Sequence, residues 1–213
     1  MDDKLLSAYW QGGGVKRFHP MKSGIWLHSH PSEENYKTLL SHAKYLPNGG
    51  VVWYYPDTYP LARMIGREVY SCISQAEFLS AYCKLHSNNI IGDSEMQQIF
   101  NSFKYEGNSS INYQNILLEL PLPYNYPEII LNGWLHAITR LIDFYAYTHC
   151  DDNLLFDTVK QLAIHLGDFD SREHRLSKYS NLTPYKLTIN HGTNLKVKYR
   201  DEFEFEFKEK ISE

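Results

Sequence analysis

Residues 126–148, YPEIILNGWLHAITRLIDFYAYT, restrict the fold of this chain more than any other stretch. Ile130, Trp134, Ile138, Leu141 and Tyr145 recur at spacings of four, four, three and four, the stripe of a core-facing α-helix. Pro127 suits a first turn, where a missing N–H leaves no bond unmade. Ile129, Leu131, Leu135, Ile142 and Phe144 make the opposite face apolar too, so the pattern predicts a central helix covered on most sides.

Other segments repeat the helical pattern. REVYSCISQAEFLSAYCKL carries Val69, Cys72, Ile73, Ala76, Leu79 and Cys83 at helical spacing, and Met96, Ile99, Phe100 and Phe103 follow a capping box at Ser94-Glu95-Met96-Gln97. Asp152 is placed to cap a further helix with Leu155, Val159, Leu162 and Leu166 inward and Gly167 at its end. Ser32 opens a helix to about Leu46, using Tyr36, Leu39, Leu40, Ala43 and Leu46. Residues 1–31 read as irregular, because Gly12-Gly13-Gly14, His19-Pro20 and His30-Pro31 interrupt any helix. His28 and His30 would share a face only on a strand, and no third ligand accompanies them there.

Between the helices lie β signals. VVWYYPDTYPL is β-rich and aromatic, stopped by Pro56 and Pro60, and INYQNILLEL reads as a strand or extended arm. After Asp168 the chain becomes polar and turn-rich, then YKLTIN, HGTN and LKVKYRDEFEFEF alternate with period two, a β-hairpin pattern. Lys196, Lys198 and Arg200 are expected to oppose Glu202, Glu204 and Glu206 on a solvated face.

Charge excludes one class of function. A net charge of −4 leaves no basic stripe to neutralise phosphates, so a general nucleic-acid binder is not expected. Seventeen tyrosines supply flat faces with hydroxyls that suit sugar rings, although the same residues also fill cores with a wet edge. Cys72, Cys83 and Cys150 are odd in number without metal-ligand spacing, and read as buried thiols. No apolar run reaches membrane-spanning length, and MDDKLLSAYWQGGG lacks the basic-then-apolar order of a signal peptide, so a cytoplasmic protein is expected.

LNGWLHAITRLIDFY resembles the LNG-aromatic helix of the D-glucuronyl C5-epimerase family, and SCISQAEFLSAY is similar to that family's S-x-M-x-Q-G-x-x-x-S helix, keeping Ser71, Gln75 and Ser80 but with Ala76 for the glycine. VVWYYP resembles the family's aromatic strand. The resemblance runs over residues 50–190 and rests on short motifs in the family's order. It implies a mainly α fold: an incomplete (α/α) toroid of antiparallel helix pairs with a short C-terminal β-hairpin. The expected divisions are 1–50, an irregular segment and helix; 51–190, the epimerase C-terminal-like helical domain; and 191–213, a β tail.

The implied reaction is removal and return of the proton at C5 of a hexuronic acid in a polysaccharide. It needs a base, an acid across the ring and donors or cations that stabilise an enolate-like carboxylate. The resemblance places the tyrosines of this chemistry at Tyr179 and Tyr185, the latter across a spacer shorter than the family's. Two registers compete for the glutamate: ILLELP keeps the acid as Glu119 but has Leu120 where the family has tyrosine, whereas YNYP keeps Tyr126-Pro127 but has Asn125, which transfers no proton. Glu119 is the favoured register. Arg172, Arg175 and Lys178 are the candidate cations for the carboxylate, with Tyr126, Tyr54, Gln75 and Asn132 as further sugar contacts; Gln75 and Asn132 equally suit a helix seam, and the arginines an exposed loop. No metal or other cofactor is implied, and an open arc of helix pairs suggests self-association. Two other readings stand beside this one: a polysaccharide lyase using Asn125, Tyr126 and His136, and a sugar-binding module without catalysis.

Overall fold

The computed structural model describes residues 8–9, 16–56, 68–107, 110–121, 127–171, 176–177, 180–181, 186–190, 194–199 and 203–208. The described chain is mainly helical. It divides into two compact units, Met1–Ile164 and His165–Glu213.

The first unit begins with a two-residue antiparallel pair, β1 (Ala8–Tyr9) with β2 (Lys16–Arg17). Helix α1 (Pro20–Ser29) follows, where the sequence pattern predicted irregular chain. Pro20 starts this helix instead of breaking it, since it occupies the first turn, and His28 accordingly lies in its last turn and His30 at its C-cap, not on one face of a strand. Helix α2 (Glu33–Leu40) is capped by Ser32, whose Oγ accepts from the Asn35 N–H at 3.2 Å. It stops short of Leu46: Lys44–Tyr45 (β3) pairs with Val51–Val52 (β4) across the Leu46–Gly50 turn.

Helix α3 (Cys72–Ser87) opens on a reciprocal cap, with the Ser74 N–H donating to Ser71 Oγ and the Ser71 N–H to Ser74 Oγ. Helix α4 (Asp93–Lys104) is capped two residues earlier than the sequence capping box, by Gly92, whose N–H donates to Glu95 Oε2. Its predicted stripe, Met96, Ile99, Phe100 and Phe103, is buried. INYQNILLEL forms a tight hairpin, β5 (Asn112–Tyr113) with β6 (Ile116–Leu117), turning through Gln114 and Asn115 at φ of 51° and 66°. Helix α5 (Leu131–Thr148) begins four residues after Pro127, because Ile130 keeps an extended backbone. Helix α6 is Leu154–His165, with Asp152 Oδ1 accepting from the Leu154 N–H.

Helix α3, not α5, is the axis of this unit. Ten of its sixteen residues are buried, against six of eighteen in α5, which leaves Leu135 and Ile142 about half exposed. Trp53 stacks on Phe78 of α3 at 3.7 Å and donates its indole N–H to the Leu39 carbonyl, fixing β4 and α2 against the helix. Gln75, fully buried, ties three elements: its Nε2 donates to Val51 O and Ser102 Oγ, and its Oε1 accepts from the Trp53 N–H.

The order of contacts gives the helix directions. Gly24 and His28 of α1 meet Glu77 and Ser80 of α3 in that order, and Cys72, Glu77 and His86 of α3 meet Gly133, His136 and Tyr147 of α5 in that order. Helices α1, α3 and α5 are therefore parallel neighbours. Each is followed by a helix running back. Tyr36 and Leu39 of α2 meet Tyr82 and, through Trp53, Phe78; His86 and Gln75 meet Asp93 and Ser102 of α4; Tyr145 and Trp134 meet Leu155 and Thr158 of α6. On α6 the buried side chains are Leu154 and Thr158, while Val159 and Leu166 of the predicted inward stripe are exposed. Only Cys72 is a fully buried thiol; Cys83 and Cys150 are partly buried.

The second unit carries a one-turn 3₁₀ helix (Leu166–Phe169), a short pair of Asp170–Ser171 (β7) with Leu176–Ser177 (β8), and an antiparallel sheet of three strands. The sheet is β9 (Lys186–Asn190), β10 (Asn194–Tyr199) and β11 (Phe203–Lys208), in which β10 is central. The predicted hairpin thus gains a third strand, and its register sets Lys196 across from Glu206 and Lys198 across from Glu204.

Candidate functional site

A line of ionisable groups runs along the seam between α3 and α5. Glu119 follows hairpin β5–β6, whose last residues are held to the start of α3: the Cys72 N–H donates to the Leu118 carbonyl, and Cys72 Sγ contacts the carbonyls of Leu117 and Gly133. This places Glu119 against the first turn of α5. A Cβ built on Gly133 would sit 2.5 Å from Glu119 Oε2 and 2.8 Å from its Cβ, so the glycine of the LNG step makes room for this carboxyl.

Glu119 Oε2 is buried and has no hydrogen-bond partner among the described residues. Burial pushes its pKa up to about 7, the nearby Glu128 carboxylate adds to the rise, and His136 partly opposes it. Glu128 is itself buried, just ahead of α5. The adjoining Cys72 thiol is raised well above its ordinary range by burial and by Glu119, which keeps it a thiol.

One turn beyond Gly133 on α5 lies His136, whose Nε2 is 2.6 Å from Glu77 Oε1 of α3. Arg140, one further turn along, brings Nη2 to 3.4 Å of the same oxygen and Nη1 to 3.5 Å of Asp143. Burial alone would raise the Glu77 pKa, but the His136 hydrogen bond and the charges of Arg140 and His136 outweigh it and hold the carboxyl below its ordinary range. The Glu77 side chain is 6% exposed, while His136 and Arg140 are 35% and 32% exposed, so the cluster is anchored inside and opens outward. Gly24 of α1 backs it: a Cβ there would lie 2.9 Å from Glu77 Cβ and 3.0 Å from main-chain atoms of α3.

A search of family models, curated proteins and solved structures gives no match.

Of the sequence-predicted site residues, Glu119 lies in this seam. The Gln75 amide is engaged with Val51, Trp53 and Ser102 inside the core, Asn132 is exposed on the first turn of α5, and the half-buried Tyr54 packs edge-on to Tyr70 with Lys44 Nζ 5.0 Å from its ring centre. Tyr126, Arg172, Arg175, Lys178, Tyr179, Tyr185 and the alternative Asn125 lie outside the described residues. Glu77, Glu128 and Arg140 were not singled out by sequence. The only trace of them is the i,i+4 spacing of His136 and Arg140, which sets two basic groups on one face of a helix. Among the described residues no group of His, Cys, Asp and Glu is arranged to hold a metal ion, and no helix is long and apolar enough to cross a membrane.

Proposed function

We propose that this chain is a D-glucuronyl C5-epimerase-like enzyme acting on a uronic-acid-containing polysaccharide, with Glu119 as a proton-transferring group. The observation that carries the reading is the Glu119 carboxyl: buried on Gly133, with an unpartnered oxygen and a pKa of about 7. A carboxyl poised there is present as acid and as base in comparable amounts at neutral pH, the condition in which general acid–base catalysis is most effective. An ordinary surface glutamate is almost wholly ionised and donates poorly.

Two further features support it. The motifs resembling the epimerase family point to Glu119 by one of two registers, and the other register supplies an asparagine. The parallel helices α1, α3 and α5, each followed by a returning helix, match what an open (α/α) toroid of three pairs requires. On this reading the open ends of the arc favour self-association.

The test is incubation with heparosan-like and chondroitin-like polysaccharides in deuterium oxide. Deuterium is expected at C5 of the uronate, and Glu119→Gln is expected to lower its rate about 10²–10⁴-fold, the usual worth of a positioned acid or base. No exchange with either polymer overturns the epimerase reading. Unsaturated, ultraviolet-absorbing ends would assign a lyase reaction instead.

A further inference from the structure

We propose that Tyr147 is a modification site: its phenol, hydrogen-bonded to His86, accepts an acyl group from activated acyl donors, the reactive esters and thioesters. The site lies at the other end of the α3–α5 seam from Glu119 and does not depend on it.

Three helices bring the groups together. His86 lies in the last turn of α3, and the chain then reverses through Asn88 and Asn89, the latter at φ of 57°, so that α4 begins with Asp93 beside the same turn. Asp93 Oδ1 is 3.1 Å from His86 Nε2. Helix α5 runs parallel to α3 and sets Tyr147, in its own last turn, at the other nitrogen of the ring, with the hydroxyl 2.8 Å from Nδ1 and the two rings edge to face at 5.8 Å. The two ring nitrogens thus have different partners. A carboxylate only accepts, so in the neutral imidazole Nε2 carries the proton toward Asp93, and the Nδ1 lone pair is left to accept from the Tyr147 hydroxyl.

A nucleophile, a base within hydrogen-bond reach and a third group that orients the base form the arrangement that activates a hydroxyl. In the step proposed, Tyr147 Oη attacks the acyl carbon and its proton passes to His86 Nδ1. The bond from the acyl carbon to the leaving oxygen or sulfur breaks, the leaving group takes the proton from Nδ1, and a tyrosyl ester remains. While the proton is on the ring, the imidazolium faces the Asp93 carboxylate and the carbonyl end of α3, and both favour its charge. Asp93 acts through His86 and is a positioning residue. Tyr147 and His86 are both partly exposed, so a donor molecule reaches them from solvent.

The test uses p-nitrophenyl acetate on the full chain, with acetylated tyrosines located and timed by peptide mass spectrometry. Tyr113 and Tyr45, 38% and 58% exposed, bracket Tyr147 at 41% and have no hydrogen-bond partner for their hydroxyls among the described residues, so they report access without activation. Tyr147 is expected to gain its acetyl group about 10²-fold faster than either, the low end of what a positioned base supplies. His86→Gln keeps a polar side chain but no base, and is expected to bring Tyr147 down to the rate of the two references while their own rates stay unchanged. Asp93→Asn is expected to remove part of the gain at Tyr147 alone, with the circular dichroism and the reference rates unchanged, a selective loss that a role in folding would not give. Tyr147 acetylated no faster than Tyr113 and Tyr45 overturns the proposal, and so does an advantage that persists in His86→Gln.

Discussion

Two histidine–carboxylate contacts flank the seam of α3 and α5, His136 with Glu77 between α5 and α3 and His86 with Asp93 between α3 and α4, and they are chemically alike but physically unlike. Near the start, His136 meets Glu77 at 2.6 Å and the carboxylate side chain is 6% exposed. Near the end, His86 meets Asp93 at 3.1 Å and the Tyr147 hydroxyl at 2.8 Å, and the Asp93 side chain is fully exposed. Water solvates the second pair whether or not the contact forms, whereas the first carboxylate left water on folding and depends on its partners. Proximity is shared; dependence is not. Desolvation makes each charge consequential at the first end, and water screens the charges at the other.

The sharpest way to break this contrast is Glu77→Ala. It removes a buried charged partner, with His136 and Arg140 losing their common acceptor. Breaking a fully buried pair costs about 3–5 kcal/mol, but both basic groups are a third exposed and recover some hydration, so about 2–3 kcal/mol is expected in chemical denaturation. A cost under about 0.5 kcal/mol would place Glu77 with the surface pairs.

The next effect concerns pH. Glu119 is raised from 4.5 to about 7 in the folded chain, so its contribution to stability is complete below the unfolded value and is lost as pH rises through the folded one. At about 1.4 kcal/mol per unit, on the order of 3–4 kcal/mol of stability should disappear between roughly pH 4.5 and 7, and Glu119→Gln should abolish that limb. Glu77 acts with the opposite sign: its depressed pKa gives stability above the ordinary carboxylate value that is lost as acid protonates it. Denaturation midpoints measured across pH separate the two, and a flat profile for Glu119 over that range would show its carboxyl to be solvated.

Much of the helical pattern was legible in the residues, and the misreadings have physical causes. Met96, Ile99, Phe100 and Phe103 of α4, with Trp134, Ile138 and Leu141 of α5, are buried as their periodicity predicts, because each helix has one apolar face and one wet one. Helix α1 was missed because His19-Pro20 looks like a break, while proline in a first turn is a start. Polar residues hide α3 as the axis: Ser74 is buried in the cap with Ser71, and Gln75 and Glu77 are buried with hydrogen bonds to distant elements. The α6 stripe failed through its alternatives, since Thr158 was buried by bonding the Trp134 indole while Val159 was left outside. The motif register points to Glu119 but to none of the residues around it. Glu77 and His136 are 59 residues apart and no local pattern joins them.

The smallest expected effect tests the other end of the seam. Asp93→Asn removes the charge opposite His86 but keeps an oxygen that can accept from Nε2, and Tyr147→Phe removes the hydroxyl at Nδ1. Asp93 also sits in the first turn of α4, where negative charge is favoured, but the Glu95 carboxylate remains in that turn and bonds the Gly92 N–H. Neither change empties buried volume, and every group released is free to meet water. The thermal midpoint of each variant should therefore match that of the unmutated protein within error at moderate salt, where exposed charges are screened over about 8–10 Å. Exchange into C5 of a uronate should be equally untouched, since the triad lies at the end of α3 and α5 remote from Gly133. Should Tyr147→Phe abolish that exchange while leaving the thermal midpoint in place, the working end of the seam would be the exposed one, and burial would be the wrong criterion for choosing between two similar contacts.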